Sequence, residues 1–464
     1  MQKIFQNCYE LDKKCYDTYG LNEDLLMENA AQSLAHVIEK KIKVGSVLIV
    51  AGPGNNGADG IALARILQGR YDVKLFVPFK AKSDMAKKQL QRAKNVGVQE
   101  VDAIQPCDVV VDALFGAGLN KPLDAKCKAV IQTLNATDAL KIACDIPTGI
   151  YEDTSVDDVT FHADITVTMG ALKTSLFSDA ASDFVGKIKV ANLGVSRCMY
   201  EGQSNYYLLE KTDFDPPLRT KINSHKGFYG HVNVFAGQKQ GAALLCASAA
   251  TAFGAGLVSV ITNETIAAPM CLMVDTHTSK NCTAIAIGMG LGNEYPDDFL
   301  KQEVVKKDIP VVLDADSFLH PLLLDILNQT DRKVVLTPHP KEFSQLLRYA
   351  NIDATVAMIQ SNRFYYAKSF CQKYPHVTLV LKGANTIIAK NDTLYLNPFA
   401  SNKLSKGGSG DVLSGLVSAL LAQGYEGLDA AIQSSLALSF AARKYKGANY
   451  GMDATDLIKS LKKL

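Results

Sequence analysis

Residues 46 to 67 read SVLIVAGPGNNGADGIALARIL: a β-branched run, a glycine-rich turn, then small and apolar residues at helical spacing. The pattern predicts a strand over Ser46 to Ala51 and a helix over Ala58 to Leu67. The alternation continues outward, with strands expected at Val73 to Pro78, Asp108 to Asp112, Leu140 to Asp145, Ile165 to Met169 and Ile188 to Val190. Helices are expected at Met85 to Asn95 and Asp124 to Leu134, and Asn22 can cap an earlier one carrying Leu25, Leu26, Asn29, Leu34 and Val37. Strands separated by helices of about ten residues imply right-handed crossovers and a mostly parallel sheet covered on both faces, an α/β fold.

Near residue 210 the pattern breaks. Glu210 to Ser224 is polar and holds Pro216 and Pro217, which fit neither a helix interior nor a central strand, so it reads as a linker. Alternation then restarts with a strand at Val232 to Ala236, a helix at Ala242 to Phe253 and a strand at Leu257 to Thr262. Further strands are expected at Ala284 to Ile287, Val311 to Asp314, Val334 to Thr337 and Thr378 to Lys382, and a helix from Val412. Two α/β domains follow, 1–210 and 221–464, although 464 residues at about 150 per domain would allow three.

Composition narrows the function. Apolar residues make up 47% and charged residues 21%, the mix of a globular protein with a substantial core. Lys plus Arg total 49 against 47 Asp plus Glu, a net charge of +2, which supplies no field for nucleic acid or an anionic membrane. The ten cysteines include no CxxC pair and read as reduced thiols of a cytoplasmic protein. Met1 to Gly20 carries Lys3, Asp12, Lys13, Lys14 and Asp17, so no signal-peptide core is expected. The uncharged stretch Gln240 to Asn263 is rich in Ala, Gly, Ser and Thr and reads as a buried helix, turn and strand rather than a membrane span.

Three strand ends in the first half carry polar or glycine-rich residues: AGPGNNGADG (51 to 60), DALFGAGLNKP (112 to 122) and DIPTG (145 to 149). A glycine turn opening a helix presents free N–H groups to an anion, and open parallel sheets bind ligands at the carboxyl ends of their strands. Taken singly, Asp112 and Asp145 read more readily as caps or turn residues than as site residues. Together, the three motifs resemble the epimerase domain of the NAD(P)H-hydrate repair family, over about residues 1 to 210. The resemblance implies a Rossmann-like domain in which Asn56, Asp112 and Thr148 hold a potassium ion. It also implies that Asn55, Asn56, Gly57, Ala58 and Asp59 contact the hydrated nucleotide. Gly116, Ala117, Gly118, Leu119, Asn120, Lys121 and Pro122 would do the same, with Asp145 as the acid/base. Ala58 stands where the family has glycine, and Thr148 where serine is common.

In the second half KGGSGDVLSG (406 to 415) places Asp411 just after a glycine turn and before an apolar helix stripe. Free amides at such a helix start stabilise charge on a transferring phosphoryl group, and an adjacent carboxylate can take a hydroxyl proton. GMGLGN (288 to 293), LDADS (313 to 317), LTPHPKEF (336 to 343) and LKGANT (381 to 386) also mark strand ends. His225 and His231 lack the further ligands that a metal site needs. The set is similar to the ADP-dependent NAD(P)H-hydrate dehydratases of the ribokinase-like superfamily, over about 221 to 464. That likeness implies a ribokinase-like α/β domain in which Ala242, Gly290, His339 and Asp411 contact the hydrated cofactor, with Asp411 catalytic. Lys382, Gly383, Ala384, Asn385, Thr386 and Gly410 would contact ADP (or ATP) carrying Mg²⁺. Met289 departs from the family's proline, as do AGQKQ (236 to 240) and SNKLSKGG from their usual forms. The two likenesses imply a repair enzyme acting on NAD(P)HX with an adenine nucleotide, and a homo-oligomer is expected. The competing expectation is a ribokinase-like small-molecule kinase with a non-catalytic N-terminal binding module.

Overall fold

The protein, as a computed structural model, is described over residues 1–292 and 295–464; Asn293, the last residue of GMGLGN, lies outside the described residues. The chain forms two compact units, one of residues 3–206 and one of 207–464 together with the first two residues.

In the first unit seven strands among the described residues make one parallel sheet. Their spatial order is Gln99–Val101, Asp72–Phe76, Ser46–Ala51, Val109–Ala113, Leu140–Cys144, Ile165–Met169 and Lys187–Ala191. From Ser46–Ala51 the chain winds to one side, then returns to lay Val109–Ala113 on the other. The crevice opened between two such strands is where ligands bind. Gly52 occupies that point: its N–H donates to the Ala113 carbonyl at 2.9 Å, and a Cβ there would lie 1.8 Å from the Leu114 oxygen. No other residue lets the two strand exits approach so closely.

The following helix spans Asn55–Leu67, three residues longer at its start than the apolar spacing predicts, because Gly54 caps it in an extended conformation. Asn55 to Asp59 therefore lie in its first turns. Asn22 does cap the helix Glu23–Lys41, accepting from Leu25 N at 3.0 Å; Leu26, Leu34 and Val37 are buried while Leu25 is exposed. The short strand Gln2–Phe5 was not foreseen from the sequence; within this unit its Ile4 and Phe5 register with Leu172 and Lys173.

In the second unit the strands run in the order Met273–Asp275, Leu257–Ile261, His231–Phe235, Ala284–Ile287, Val311–Leu313, Val334–Leu336, Thr378–Leu381, Thr386–Lys390 and Thr393–Asn397. This series is parallel as far as Thr378–Leu381, and two antiparallel pairings follow, whose last two strands the sequence does not announce. Its reversal point lies between His231–Phe235 and Ala284–Ile287. The uncharged stretch resolves into the helix Gln240–Ala252 and the strand Leu257–Ile261, and no described helix is long and apolar enough to cross a membrane. Glu210 to Ser224 is irregular, as its prolines require, yet it is no free linker: Asp215 N donates to Gln433 at 2.8 Å and Gln433 donates back to the Asp213 carbonyl at 2.9 Å.

The helices Gln240–Ala252 and Ser409–Ala422 pack together over one core made largely of alanine, valine and leucine. Their contact is backbone to backbone at Gly415, where a Cβ would lie 2.2 Å from the Cys246 carbonyl oxygen. Gly415→Ala is therefore expected to cost about 1–3 kcal/mol through forced separation of the helices. A lowered urea midpoint checks this, and an unchanged midpoint would show that the helices have slack.

Candidate functional sites

The first candidate site is a cavity of about 540 Å³ at the reversal point of the first sheet. Its floor is Pro53 to Asn56, Asp59 and Gly116 to Leu119; Asp145, Met169 and Lys173 close one side, and Tyr9, Asp12 and Tyr16 of the helix Tyr9–Tyr19 close another.

Asp145 follows the strand Leu140–Cys144 with φ at +69°, a left-handed conformation that costs a non-glycine residue energy and is kept only where the surroundings enforce it. Here they do. Its Oδ1 accepts from Lys173 Nζ at 2.7 Å, Met169 N at 3.0 Å and Thr168 Oγ1 at 3.2 Å, and its Oδ2 accepts from Ala117 N at 3.1 Å. Burial alone would raise its pKa, but the Lys173 ammonium and the two backbone donors outweigh burial and hold it below the ordinary carboxylate value. Lys173 is 2% exposed, and the Asp145 charge keeps it protonated against the same desolvation. Asp59 is shifted the other way: burial, and then the nearby Asp145 charge, push its carboxyl well up.

Asp112 is fully buried. It receives Thr148 N at 2.8 Å, the Thr148 hydroxyl at 2.8 Å and Leu114 N at 3.1 Å, yet burial still lifts its pKa to about 6. Thr148 Oγ1 also accepts from Phe115 N at 3.1 Å. One residue further on, Gly116 lies against both Asn56 and Asp145, each of whose side-chain oxygens is 2.9 Å from where a Cβ would stand. Both polar atoms of the Asn56 amide are buried with no hydrogen-bonding partner among the described residues. The structure thus gathers Asn56, Asp112, Thr148 and Asp145 around the loop at 115–117. Other expected residues are placed differently: Asn55, on the cavity floor, is exposed and donates to Glu23 at 2.6 Å, while Gly57 and Ala58 are buried in the helix. Asn120, Lys121 and Pro122 are exposed, the last two beside a different cavity. Lys173 escaped sequence reading. Its signal is that it carries the one charge in the apolar run ITVTMGALKTSLF (165 to 177).

In the second unit the helix Ser409–Ala422 begins three residues earlier than its apolar stripe suggests. Gly408 caps it at φ +94°, which puts Asp411 in the first turn beside unbonded amides. Burial raises the Asp411 pKa to about 6, aided by Asp314 and opposed by Lys382. Lys382 Nζ donates to Asp314 Oδ1 at 3.0 Å, and Asp314 Oδ2 accepts from Ser414 at 2.8 Å, so the strand end and the helix share one buried acid. A Cβ on Gly410 would lie 3.3 Å from that ammonium. The Lys382 to Thr386 turn is pinned by Arg363, another residue missed from the sequence. Its guanidinium donates to the carbonyls of Leu381, Lys382 and Asn385 at 2.9, 3.0 and 3.0 Å.

His339 caps the helix Pro340–Tyr349: its Nδ1 accepts from Glu342 N at 3.1 Å, and the Glu342 carboxylate accepts in turn from His339 N at 2.8 Å. The ring remains half exposed next to Glu342, which also lies 3.7 Å from Lys382. Gly290, at φ +63°, accepts from Lys239 N at 2.9 Å, and Lys239 leads into the helix carrying Ala242. His231 is no metal ligand, since its two ring nitrogens face Asn281 at 3.0 Å and Ser259 at 2.9 Å.

A family model described as NAD(P)H-hydrate dehydratase matches residues 232–463, and one described as YjeF-related protein N-terminus matches residues 23–175. A bifunctional NAD(P)H-hydrate repair enzyme from Helicobacter pylori is 41% identical over all of both chains. Its counterpart from Escherichia coli is 30% identical over 98% of this chain and 92% of its own. Among solved structures, an ADP/ATP-dependent NAD(P)H-hydrate dehydratase from Bacillus subtilis, co-crystallised with ATP/Mg²⁺, aligns at 28% identity with a TM-score of 0.45 over 53% of this chain and 92% of its own.

Replacing Lys173 by Met strands the Asp145 charge in the interior. The expected loss is about 3–5 kcal/mol at neutral pH, by chemical denaturation. Because burial then raises the Asp145 pKa, the deficit shrinks as pH falls through the carboxylate range and the acid takes up a proton. A deficit independent of pH would contradict the ion-pair account.

Proposed function

The chain belongs to the family of bifunctional NAD(P)H-hydrate repair enzymes, and from that we propose that its two units return hydrated NADH and NADPH to use. The N-terminal unit interconverts the R and S hydrates. The C-terminal unit dehydrates the S hydrate with ADP or ATP. The observation that carries the reading is a strand-end or helix-start carboxylate under the influence of a lysine in each unit, Asp145 paired with Lys173, and Asp411 near a Lys382 that is itself paired with Asp314.

For epimerisation, Asp145 must exchange a proton with the carbon-6 hydroxyl as that centre opens and re-forms on the other face. The Lys173 pair keeps Asp145 ionised at rest, in the form that can receive a proton, and Ala117 N fixes the orientation of Oδ2. A positioned acid/base of this kind contributes roughly 10²- to 10⁴-fold. Asn55, Asn56 and Asp59, with Gly116 to Pro122, frame the nucleotide, and the free amides after Gly54 suit its pyrophosphate. Potassium fits the first site: the stranded Asn56 carbonyl, the Asp112 carboxylate and the Thr148 hydroxyl form an all-oxygen set for a hard cation, which would supply positive charge beside the phosphates.

For dehydration, Asp411 takes the proton from the carbon-6 hydroxyl as its oxygen attacks the terminal phosphoryl group. ADP is thereby cleaved to AMP. The resulting ester then loses inorganic phosphate, a far better leaving group than hydroxide, as a proton leaves carbon 5 and the ring double bond returns. Amides at the start of the Ser409–Ala422 helix, including that of Gly410, and the Lys382 ammonium are aimed at the charge on the migrating group. Ala242, Gly290 and His339 border the ring side, and Lys382 to Thr386 border the nucleotide. No cluster of three or more His, Cys, Asp or Glu among the described residues could cage a metal. Mg²⁺ carried on the nucleotide phosphates would offset their charge. The proposal includes cytoplasmic operation, in keeping with ten free cysteines, and a homo-oligomeric assembly.

A mixture of R and S hydrates tests the division of labour. Asp411→Ala should abolish ADP-dependent recovery of reduced-nicotinamide absorbance while R and S still interconvert. Asp145→Asn should leave recovery of the S isomer and strand the R isomer. Loss of both activities in either variant would contradict two separate sites.

The raised Asp411 value also sets a pH profile. Dehydration requires the ionised form, so kcat/KM should fall as pH drops below about 6. A profile flat to pH 5 would show that Asp411 is not the base.

A further inference from the structure

Beside the epimerase cavity lies a second one of about 390 Å³, which shares Pro53, Phe115 and Leu119 with it and has a very different charge. The first is lined by Asp12, Glu23, Asp59 and Asp145, against the one lysine already paired with Asp145. The second is lined by Lys80, Lys82, Lys121 and Lys126. Its acid is Asp124, whose carboxylate is occupied in capping the next helix through Cys127 N at 2.7 Å. Lys80, Lys82 and Lys121 have no hydrogen-bonding or ion-pair partner among the described residues. Lys126 Nζ donates to the Pro78 carbonyl at 2.6 Å and lies 5.1 Å from the centre of the Phe79 ring. Phe79 and Phe115, 6.3 Å apart, add flat apolar surface.

The position of this basic cavity in the fold is informative. Strand Ser46–Ala51, helix Asn55–Leu67 and strand Asp72–Phe76 form the first βαβ unit, with the glycine turn after its first strand. In dinucleotide-binding units of this form, the group just beyond the second strand meets the adenosine ribose. An acid there accepts the 2′-hydroxyl, and a base accommodates a 2′-phosphate. Here that segment reads VPFKAK (77 to 82), with two lysines and no acid. It is clamped to the glycine turn, because the Lys82 and Ser83 amides donate to the Pro53 carbonyl at 2.8 and 3.1 Å. The backbone is thus fixed while the ammonium groups stay exposed and free.

We propose that this cavity takes the 2′-phosphorylated adenosine end of the substrate, with Lys80 and Lys82 reading the 2′-phosphate, so that the epimerase unit favours NADPHX over NADHX. The inference rests on the epimerase reading above. The hydrated ring, neutral and hydroxyl-bearing, faces the acidic cavity, and the phosphate-rich end faces the basic one. Adenine lies against Phe79 and Phe115.

The test uses the full chain with Lys80→Ala and Lys82→Ala combined, and the separate R hydrates of NADPH and NADH. KM for NADPHX epimerisation should rise about tenfold or more with kcat nearly unchanged, while both constants for NADHX stay within about twofold. The Lys80→Arg, Lys82→Arg pair should restore the preference, and an unchanged melting midpoint shows that the fold is intact. Equal increases in KM for both substrates, or none for either, would overturn the proposal. If the unmodified chain epimerises neither hydrate, the epimerase reading itself fails, and binding of adenosine 2′,5′-bisphosphate then decides about the cavity. Affinity that drops in the double variant supports it, and affinity unaffected by the substitutions refutes it.

Discussion

A carboxylate can work beside phosphate only if something nearby answers its charge, and each unit of this protein is arranged around that constraint. Asp145 is answered by Lys173 at 2.7 Å, in a place so buried that neither charge would persist without the other. Removing two ions from water costs several kcal/mol each, which only close geometry and extra hydrogen bonds offset. The extra bonds are present: Met169 N and Ala117 N donate to the acid, and Thr168 with the Met169 carbonyl receives the ammonium. At the second site Lys382 is committed to Asp314, so Asp411 is answered only in part and keeps a raised pKa. The two acids thereby start from different states: Asp145 rests firmly ionised, and Asp411 is poised to take up a proton near pH 6.

Both arrangements depend on glycine. Gly52 lets two strand exits touch in the first unit, and Gly408 lets the Ser409–Ala422 helix begin early enough to place Asp411 in its first turn. In each case the turn opens a helix whose first amides are left without helical partners, and a carboxylate stands close by: Asp145 from a neighbouring strand end in the first unit, Asp411 from the helix itself in the second. The shared geometry explains how two differently wound sheets come to serve one substrate class.

Much of this was legible in the sequence because parallel strands buried on both faces leave near-continuous apolar runs, and Val109 to Val111 or Val334 to Leu336 are hard to read otherwise. The strand-end acids were legible for the same reason, since each interrupts such a run. Helix starts were placed three residues late at Asn55 and Ser409, because glycine caps leave no side-chain signature of the kind Asn22 provides. Lys173 and Arg363 were missed because their importance is wholly tertiary: one answers an acid 28 positions earlier, and the other binds three carbonyls of a distant turn. His339 illustrates the reverse case, a residue that stands out in LTPHPKEF and turns out to have a cap bond to make as well.

The central chemical claim is that the hydroxyl oxygen on carbon 6 attacks the terminal phosphoryl group and departs with it. It is tested most directly by dehydrating S-NADHX labelled with ¹⁸O in that hydroxyl, with unlabelled ADP, and weighing the phosphate released. The account predicts one ¹⁸O in each phosphate formed. Unlabelled phosphate, with the isotope recovered in water, would contradict it.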